Sequence, residues 1–65
     1  MSTTRRPARD WHLADVIIPT DGNARTVTLH RLEGAPARAV VMYDHDTRQR
    51  YLPPDHTEII TRNSD

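Results

Sequence analysis

VVMYDHDTRQRYLPPDHTEII, residues 40–60, decides the fold of this chain. The stretch joins a run of apolar, strand-forming residues to a cluster of His and Asp, and then to a double proline. The apolar run is typical of a strand that is covered on both faces. Pro53 and Pro54 cannot continue a central strand, because proline has no N–H to donate to the ladder. The stretch therefore predicts two strands joined by a polar turn, then a second turn and a last strand.

Toward the N-terminus, turn residues likewise separate short apolar runs. Asp21 and Gly22 are typical of a turn, and the residues that follow alternate between β-branched and polar side chains. Short strands at this regular spacing indicate a small all-β domain. The segment 10–14 stays open between extended chain and one helical turn. We predict five antiparallel strands, at residues 15–18, 25–32, 38–43, 48–52 and 57–62.

Length and composition limit the organisation to one small domain. A chain of 65 residues without cysteine has no disulfides and no thiolate zinc site, and its core is marginal at this size, so self-association is expected. Residues 1–9 carry arginines and little to bury, which predicts a flexible basic arm. The folded domain is predicted to span residues 10–62, with a frayed end at 63–65.

The stretch ARAVVMYDHDTRQRYLPPDHTEII, residues 37–60, resembles the small β-barrels of Tudor, KOW and Src-homology-3-type domains. In those domains a strand ending in an aromatic residue meets an acidic turn, and a returning strand and a short turn precede the final strand. The resemblance implies a five-stranded barrel. Similar barrels at the C-termini of plasmid partition and repressor proteins are used for dimerisation. Readers of methylated side chains need three or four caging aromatics. This chain has Trp11, Tyr43 and Tyr51 alone, which argues against that role.

The His and Asp residues of the two turns are the metal-ligand candidates: Asp44, His45, Asp46, Asp55 and His56. In the predicted barrel these turns lie at opposite ends of strand 48–52, roughly 15–17 Å apart. Metal ligands must approach to about 2 Å from the ion. Aspartate in turns also has the ordinary task of accepting backbone N–H groups. We therefore predict turns with no metal and no cofactor.

Catalysis and membrane attachment have little support in the sequence. There is no glycine-rich phosphate loop, and Ser2 and Ser64 lie in the predicted tails. So short a chain rarely encloses the pocket of a few hundred Å³ that a substrate needs. We expect no enzymatic activity and no small-molecule substrate. No stretch approaches the length of a membrane span, so a cytoplasmic protein with no membrane partner is expected.

Binding is the remaining function, and the apolar run is its main signal. Both faces of strand 38–43 need cover: one faces the core, and the other is covered either by the N-terminal segment, with Trp11 and Leu13, or by another chain. We predict a regulatory protein-interaction module that binds another protein or a second copy of itself. Its contact residues are predicted to be Trp11, Val41, Met42, Tyr43 and Tyr51.

The alternative is a nucleic-acid-binding regulator. Nine arginines balance nine acidic residues, so the chain lacks the basic excess usual in such proteins. The arginines could equally form ion pairs on a solvated surface. The residues that would contact nucleic acid are Arg5, Arg6, Arg9, Arg48 and Arg50.

Overall fold

The computed structural model describes residues 2–62 and shows an all-β domain. Its strands form one antiparallel sheet in the order β1-β6-β2-β3-β4-β5. The only helical segment in this part of the chain is a 3-10 turn at Ala8–Asp10. No helix among residues 2–62 is long and apolar enough to cross a membrane. The strands are β1 (Ser2–Pro7), β2 (Val16–Ile18), β3 (Arg25–Glu33), β4 (Arg38–Tyr43), β5 (Arg50–Leu52) and β6 (Thr57–Arg62).

The predicted all-β class is confirmed, but the closed five-stranded barrel is wrong. The sheet has six strands, and β1 and β5 lie at its two edges without pairing with each other. The predicted strands at residues 38–43 and 57–62 are confirmed to the residue. Strand β5 is shorter than predicted, because Asp46 accepts the backbone N–H of Arg48 at 2.9 Å and extends the turn.

The flexible N-terminal arm is also wrong for residues 2–9. Strand β1 pairs with β6 along its whole length, from Ser2 opposite Arg62 to Pro7 opposite Thr57. Ala8 is fully buried, and its N–H donates to the carbonyl of His56 at 2.7 Å. The ladder bonds come from the backbone, so this segment needed no apolar side chains to become ordered. The predicted frayed end at 63–65 lies outside the described residues.

The core lies on one face of the curled sheet and is centred on Trp11. This residue follows the 3-10 turn and is 1% exposed. Its Nε1–H donates to the carbonyl of Arg6 at 3.1 Å, so its polar atom is satisfied inside the protein. In the segment 10–14, left open by the sequence, Asp10 ends the 3-10 turn and residues 11–14 belong to neither helix nor strand. The other members of the core cluster are Ala8, Ile17, Val27, Ala39, Val41, Tyr43 and Ile60.

A buried ion pair joins the segment before β2 to the end of β6. Arg62 donates from Nε to Asp15 Oδ1 at 2.8 Å and from a terminal nitrogen to Oδ2 at 2.7 Å. Asp15 Oδ2 also accepts the N–H of His12, and Arg62 also donates to the carbonyl of Asp10. Burial acts to raise the pKa of Asp15, but the hydrogen bonds from Arg62 and His12 outweigh it, and the pKa is lowered.

We expect Asp15→Ala to destabilise the domain by about 3–5 kcal/mol, because it leaves the Arg62 guanidinium buried without its carboxylate. A domain of this size has a total stability of roughly 3–10 kcal/mol, so the variant should be largely unfolded or melt far lower. Urea unfolding followed by circular dichroism measures the difference. The matched control is Glu33→Gln, which removes the exposed ion pair with Arg31 and should cost less than about 1 kcal/mol. Equal losses would contradict the assignment.

The lowered pKa of Asp15 makes a contribution to stability that depends on pH. A carboxyl whose folded pKa lies below its unfolded value of 3.8 stabilises the fold above that value and loses the effect as the pH falls through the folded pKa. The free energy of unfolding should therefore fall as the pH drops below about 4. In the double variant Asp15→Leu, Arg62→Met, the free energy of unfolding should change less with pH below about 4. An unchanged pH dependence in this range would show that other carboxyls are responsible for it.

Candidate functional site

Strand β4 is covered on both faces by the chain itself. Ala39, Val41 and Tyr43 face the core, whereas Val40 lies on the opposite face and is still 0% exposed. Its cross-strand neighbours are Arg31 on β3 and Tyr51 on β5. Arg31 donates to Gln49 Oε1 at 3.2 Å, and because β4 lies between β3 and β5, this bond passes over β4. The apolar run that predicted a partner surface is thus covered largely by the protein's own polar side chains.

Three of the five predicted partner contacts are buried. Trp11 and Val41 are 1% and 0% exposed, and Tyr43 is 6% exposed, so none of them can be a surface contact in this fold. Met42 is half-buried on the outer face. Tyr51 is 55% exposed, and it is the one predicted contact that remains fully available. The apolar run correctly predicted a strand. It was wrong as a prediction of exposed contact residues, because the sequence does not show which side chains pack over each face of the strand.

Tyr43 is held by two arginines that are themselves paired with acids. The guanidinium carbons of Arg25 and Arg50 lie 5.6 and 5.5 Å from the centre of its ring. Arg25 contacts Asp21 at 2.9 Å, and Arg50 contacts Asp46 at 2.6 Å. Burial raises the pKa of the Tyr43 hydroxyl, although both arginines act to lower it. Both arginines therefore make cation–π contacts with the ring of Tyr43.

The predicted nucleic-acid contacts do not form one surface. Arg5 and Arg6 are neighbours on β1, so they point to opposite faces of the sheet. Arg9, on the 3-10 turn, is exposed and donates to the Pro54 carbonyl at 3.5 Å. Arg50 forms an ion pair with Asp46. Arg48 is exposed, with its Nε 4.0 Å from the same carboxylate. The N–H of Arg48 and the side chain of Arg50 both lower the pKa of Asp46, so it stays ionised beside them.

A concave surface lies where the β3–β4 turn meets the edge strand β5. Two adjoining cavities of about 290 and 410 Å³ share Pro36, Arg38 and Tyr51. Gly34 has a φ of 92°, which favours glycine, and gives the turn the shape that brings Pro36 to the cavity wall. We call this concave surface the β5 groove, defined by Pro36, Arg38, Tyr51, Leu52, Pro53 and Pro54.

Arg38 is the free charge of the β5 groove. Its direct cross-strand neighbour is Glu33, but the Glu33 carboxylate is held by Arg31 Nε at 2.9 Å. The Arg38 guanidinium forms no ion pair within residues 2–62. The sequence pointed to Tyr51 but missed Arg38, since nothing in the sequence separates it from the five arginines that pair with acids within residues 2–62. The prolines were interpreted only as turn residues.

The two acidic turns do not bring their side chains together: within residues 2–62 no group of three or more His, Asp or Glu residues is arranged to hold an ion. Asp44 Oδ1 instead accepts the N–H of Thr26 at 3.3 Å. His56 contacts Glu58 at 2.9 Å, and its ring meets the edge of Trp11. These side chains therefore organise turns and cover the core.

Comparison of the chain with protein-family models, with curated proteins and with solved structures gives no match. The interpretation of the β5 groove therefore depends on its geometry and chemistry alone.

We expect Tyr51→Ser and Arg38→Ser to change the free energy of unfolding by less than about 1 kcal/mol each, because both side chains are exposed and Arg38 has no ion-pair partner among residues 2–62. Val40→Ser, on the same face but fully buried, should cost more than either. Thermal and urea unfolding of the three variants measure the comparison. A large loss for Tyr51→Ser would mean that this residue serves the fold rather than a partner.

Proposed function

We propose that this chain is a non-catalytic protein-interaction module that binds a partner protein through the β5 groove. The observation that carries the proposal is the position of Tyr51, a large aromatic side chain that is 55% exposed in a concave surface. Tyrosine and arginine are enriched among the residues that dominate binding energy at interfaces. The β5 groove pairs Tyr51 with an uncommitted arginine.

The rigidity of the groove supports binding. Three of its six residues are prolines, and tyrosine has few rotatable bonds, so little side-chain freedom is lost when a partner is bound. The carbonyl of Pro53 accepts the N–H of His56 at 3.0 Å, which holds the turn beneath the groove. Such a surface is largely pre-formed, and preorganised surfaces lose less free energy to ordering.

The chemistry of the groove favours binding over catalysis. None of its six residues is a Ser, Thr, Cys, His, Asp or Glu, so it offers no ordinary nucleophile or carboxylate base. Glu33, at the margin of the smaller cavity, is held by Arg31. We therefore propose a regulatory or adaptor role without enzymatic activity.

Self-association has a second candidate surface, the outer face of strands β1, β6 and β2. Ile18 and Ile59 are cross-strand neighbours that are 36% and 38% exposed, with Arg5 beside them. At a strand spacing of about 4.8 Å and a rise of about 3.3 Å per residue, the three strands together present roughly 240 Å² on this face. A stable interface needs about 800 Å² from each partner. A homodimer through this face would need additional surface, so a different protein partner is better supported.

The nucleic-acid alternative has less support than protein binding. Its predicted residues are divided among β1, where Arg5 and Arg6 point to opposite faces, the 3-10 turn with Arg9, and the turn and strand β5 with Arg48 and Arg50. Arg50 is also neutralised by Asp46. Kinship with Tudor and KOW domains remains a proposal. Its support is the order of strand, acidic turn, strand, turn and strand within residues 38–62.

The test is retention of a partner from extract of the source cells by the tagged chain. The wild type should retain a defined protein that Tyr51→Ser loses. The matched control is Leu13→Ser, which removes a side chain that is 63% exposed outside the groove and should retain the same protein.

Sedimentation over a range of concentrations identifies self-association, which would give a rising mass that Tyr51→Ser abolishes. Equal retention by Tyr51→Ser, or no retained protein together with a constant monomer mass, would contradict the proposal.

A further inference from the structure

We infer that the β5 groove selects an extended acidic segment of its partner, with an acidic side chain next to apolar ones. This inference rests on the proposed protein-binding function and adds the chemistry of the partner. It depends on the distribution of charge around the groove, which is asymmetric although the whole chain has a net charge of zero.

The positive end of the groove is Arg38. Its neighbour Glu33 binds Arg31 through Oε2 at 2.9 Å and forms no ion pair with Arg38 in the part of the chain that the structure describes. Arg31 in turn is fixed by its second bond, to Gln49 at 3.2 Å. A carboxylate brought by a partner would therefore meet a guanidinium that has its donors available, and guanidinium and carboxylate can form two parallel hydrogen bonds.

The rest of the groove is apolar or uncharged. The larger cavity is lined by Pro36, Ala37, Tyr51, Leu52, Pro53 and Pro54, with Arg38 as its one charged residue. Apolar side chains that flank the acidic residue of a partner would be buried against these rings and against Leu52. A segment without apolar neighbours would leave most of the groove surface exposed to water.

Arg9 provides a weaker second positive charge at the other end. Its terminal nitrogen donates to the carbonyl of Pro54 at 3.5 Å, so the guanidinium lies beside the wall of the larger cavity. Asp55 follows Pro54 directly and reduces the local positive potential. Arg38 is therefore the main determinant of charge selection, and Arg9 makes a smaller contribution.

A nucleic-acid backbone is the other anionic ligand to consider, and the groove fits it less well. Binding to a phosphate backbone depends on many simultaneous cationic contacts. The β5 groove contains one free arginine and an apolar lining without stacked aromatics, since Trp11 and Tyr43 are buried. An acidic peptide with apolar neighbours matches both properties of the groove.

The experiment is selection of random-sequence displayed peptides against the wild-type chain and two charge-reversed variants. Arg38→Glu changes the groove, and Arg48→Glu is the matched control, because Arg48 is an exposed arginine outside it. The wild type and Arg48→Glu should enrich Asp and Glu beside Leu, Pro or aromatic residues. Arg38→Glu should instead enrich Lys and Arg. Circular dichroism confirms that both variants are folded.

A peptide selected by the wild type is then synthesised with a fluorescent label, and its affinity is measured by anisotropy. Arg38→Gln should weaken binding by about tenfold or more, and Arg9→Gln by less, because a charge-assisted bond is lost in the first case. Arg48→Gln should leave the affinity unchanged. Peptides that depend on Tyr51 but show no acidic preference would overturn this inference and leave the proposed function standing. Failure to select any peptide, or tighter Arg38-dependent binding of a mixed-sequence single-stranded oligonucleotide, would overturn it as well.

Discussion

The buried ion pair between Asp15 and Arg62 is the constraint on which the rest of the structure depends. It joins the segment that carries Trp11 to the last residue of β6, the strand that lies between β1 and β2. Two charges withdrawn from water are tolerated only where their hydrogen bonds are nearly complete. Here the carboxylate accepts from Arg62 and from the His12 N–H, and the guanidinium also reaches the Asp10 carbonyl. The loop before β2 is therefore held in one conformation over the core.

That arrangement leads to the groove through a chain of contacts. The fixed loop brings Ala8 and Trp11 into the core, and Ala8 and Arg9 donate their backbone N–H groups to the carbonyls of His56 and Pro54. These bonds position the turn of Pro53 and Pro54, which forms one wall of the larger cavity. On the far side, Arg31 bonds Glu33 and Gln49 over Val40, and Arg38 has no acidic partner within residues 2–62. One wall of the groove and its free charge are thus set by two separate groups of contacts.

Much of the fold could be predicted from residues 15–62, and the candidate site could be predicted only in part. Asp-Gly and Pro-Pro are local signals, because their effect on the backbone does not depend on distant residues. The pairing of β1 is not local, since its partners on β6 lie 50 to 60 residues away in sequence. The burial of Trp11 is not local either, since its core cluster includes residues of β2, β3, β4 and β6. Tyr51 was identified because it is a large apolar residue on a strand. Arg38 was missed because the sequence does not show that Glu33, its cross-strand neighbour, binds Arg31 instead.

The sequence by itself determined the all-β class, the turns and the position of most strands, because alternation and turn residues act within a few positions of one another. Only the tertiary structure decided that the sheet is open, that residues 2–7 form its edge strand β1, and that the apolar face of β4 is covered by the chain itself. It also decided which arginines are neutralised and which remain free. The physical reason is that ion pairing and burial depend on neighbours across the sheet, and those neighbours are set by the three-dimensional path of the chain.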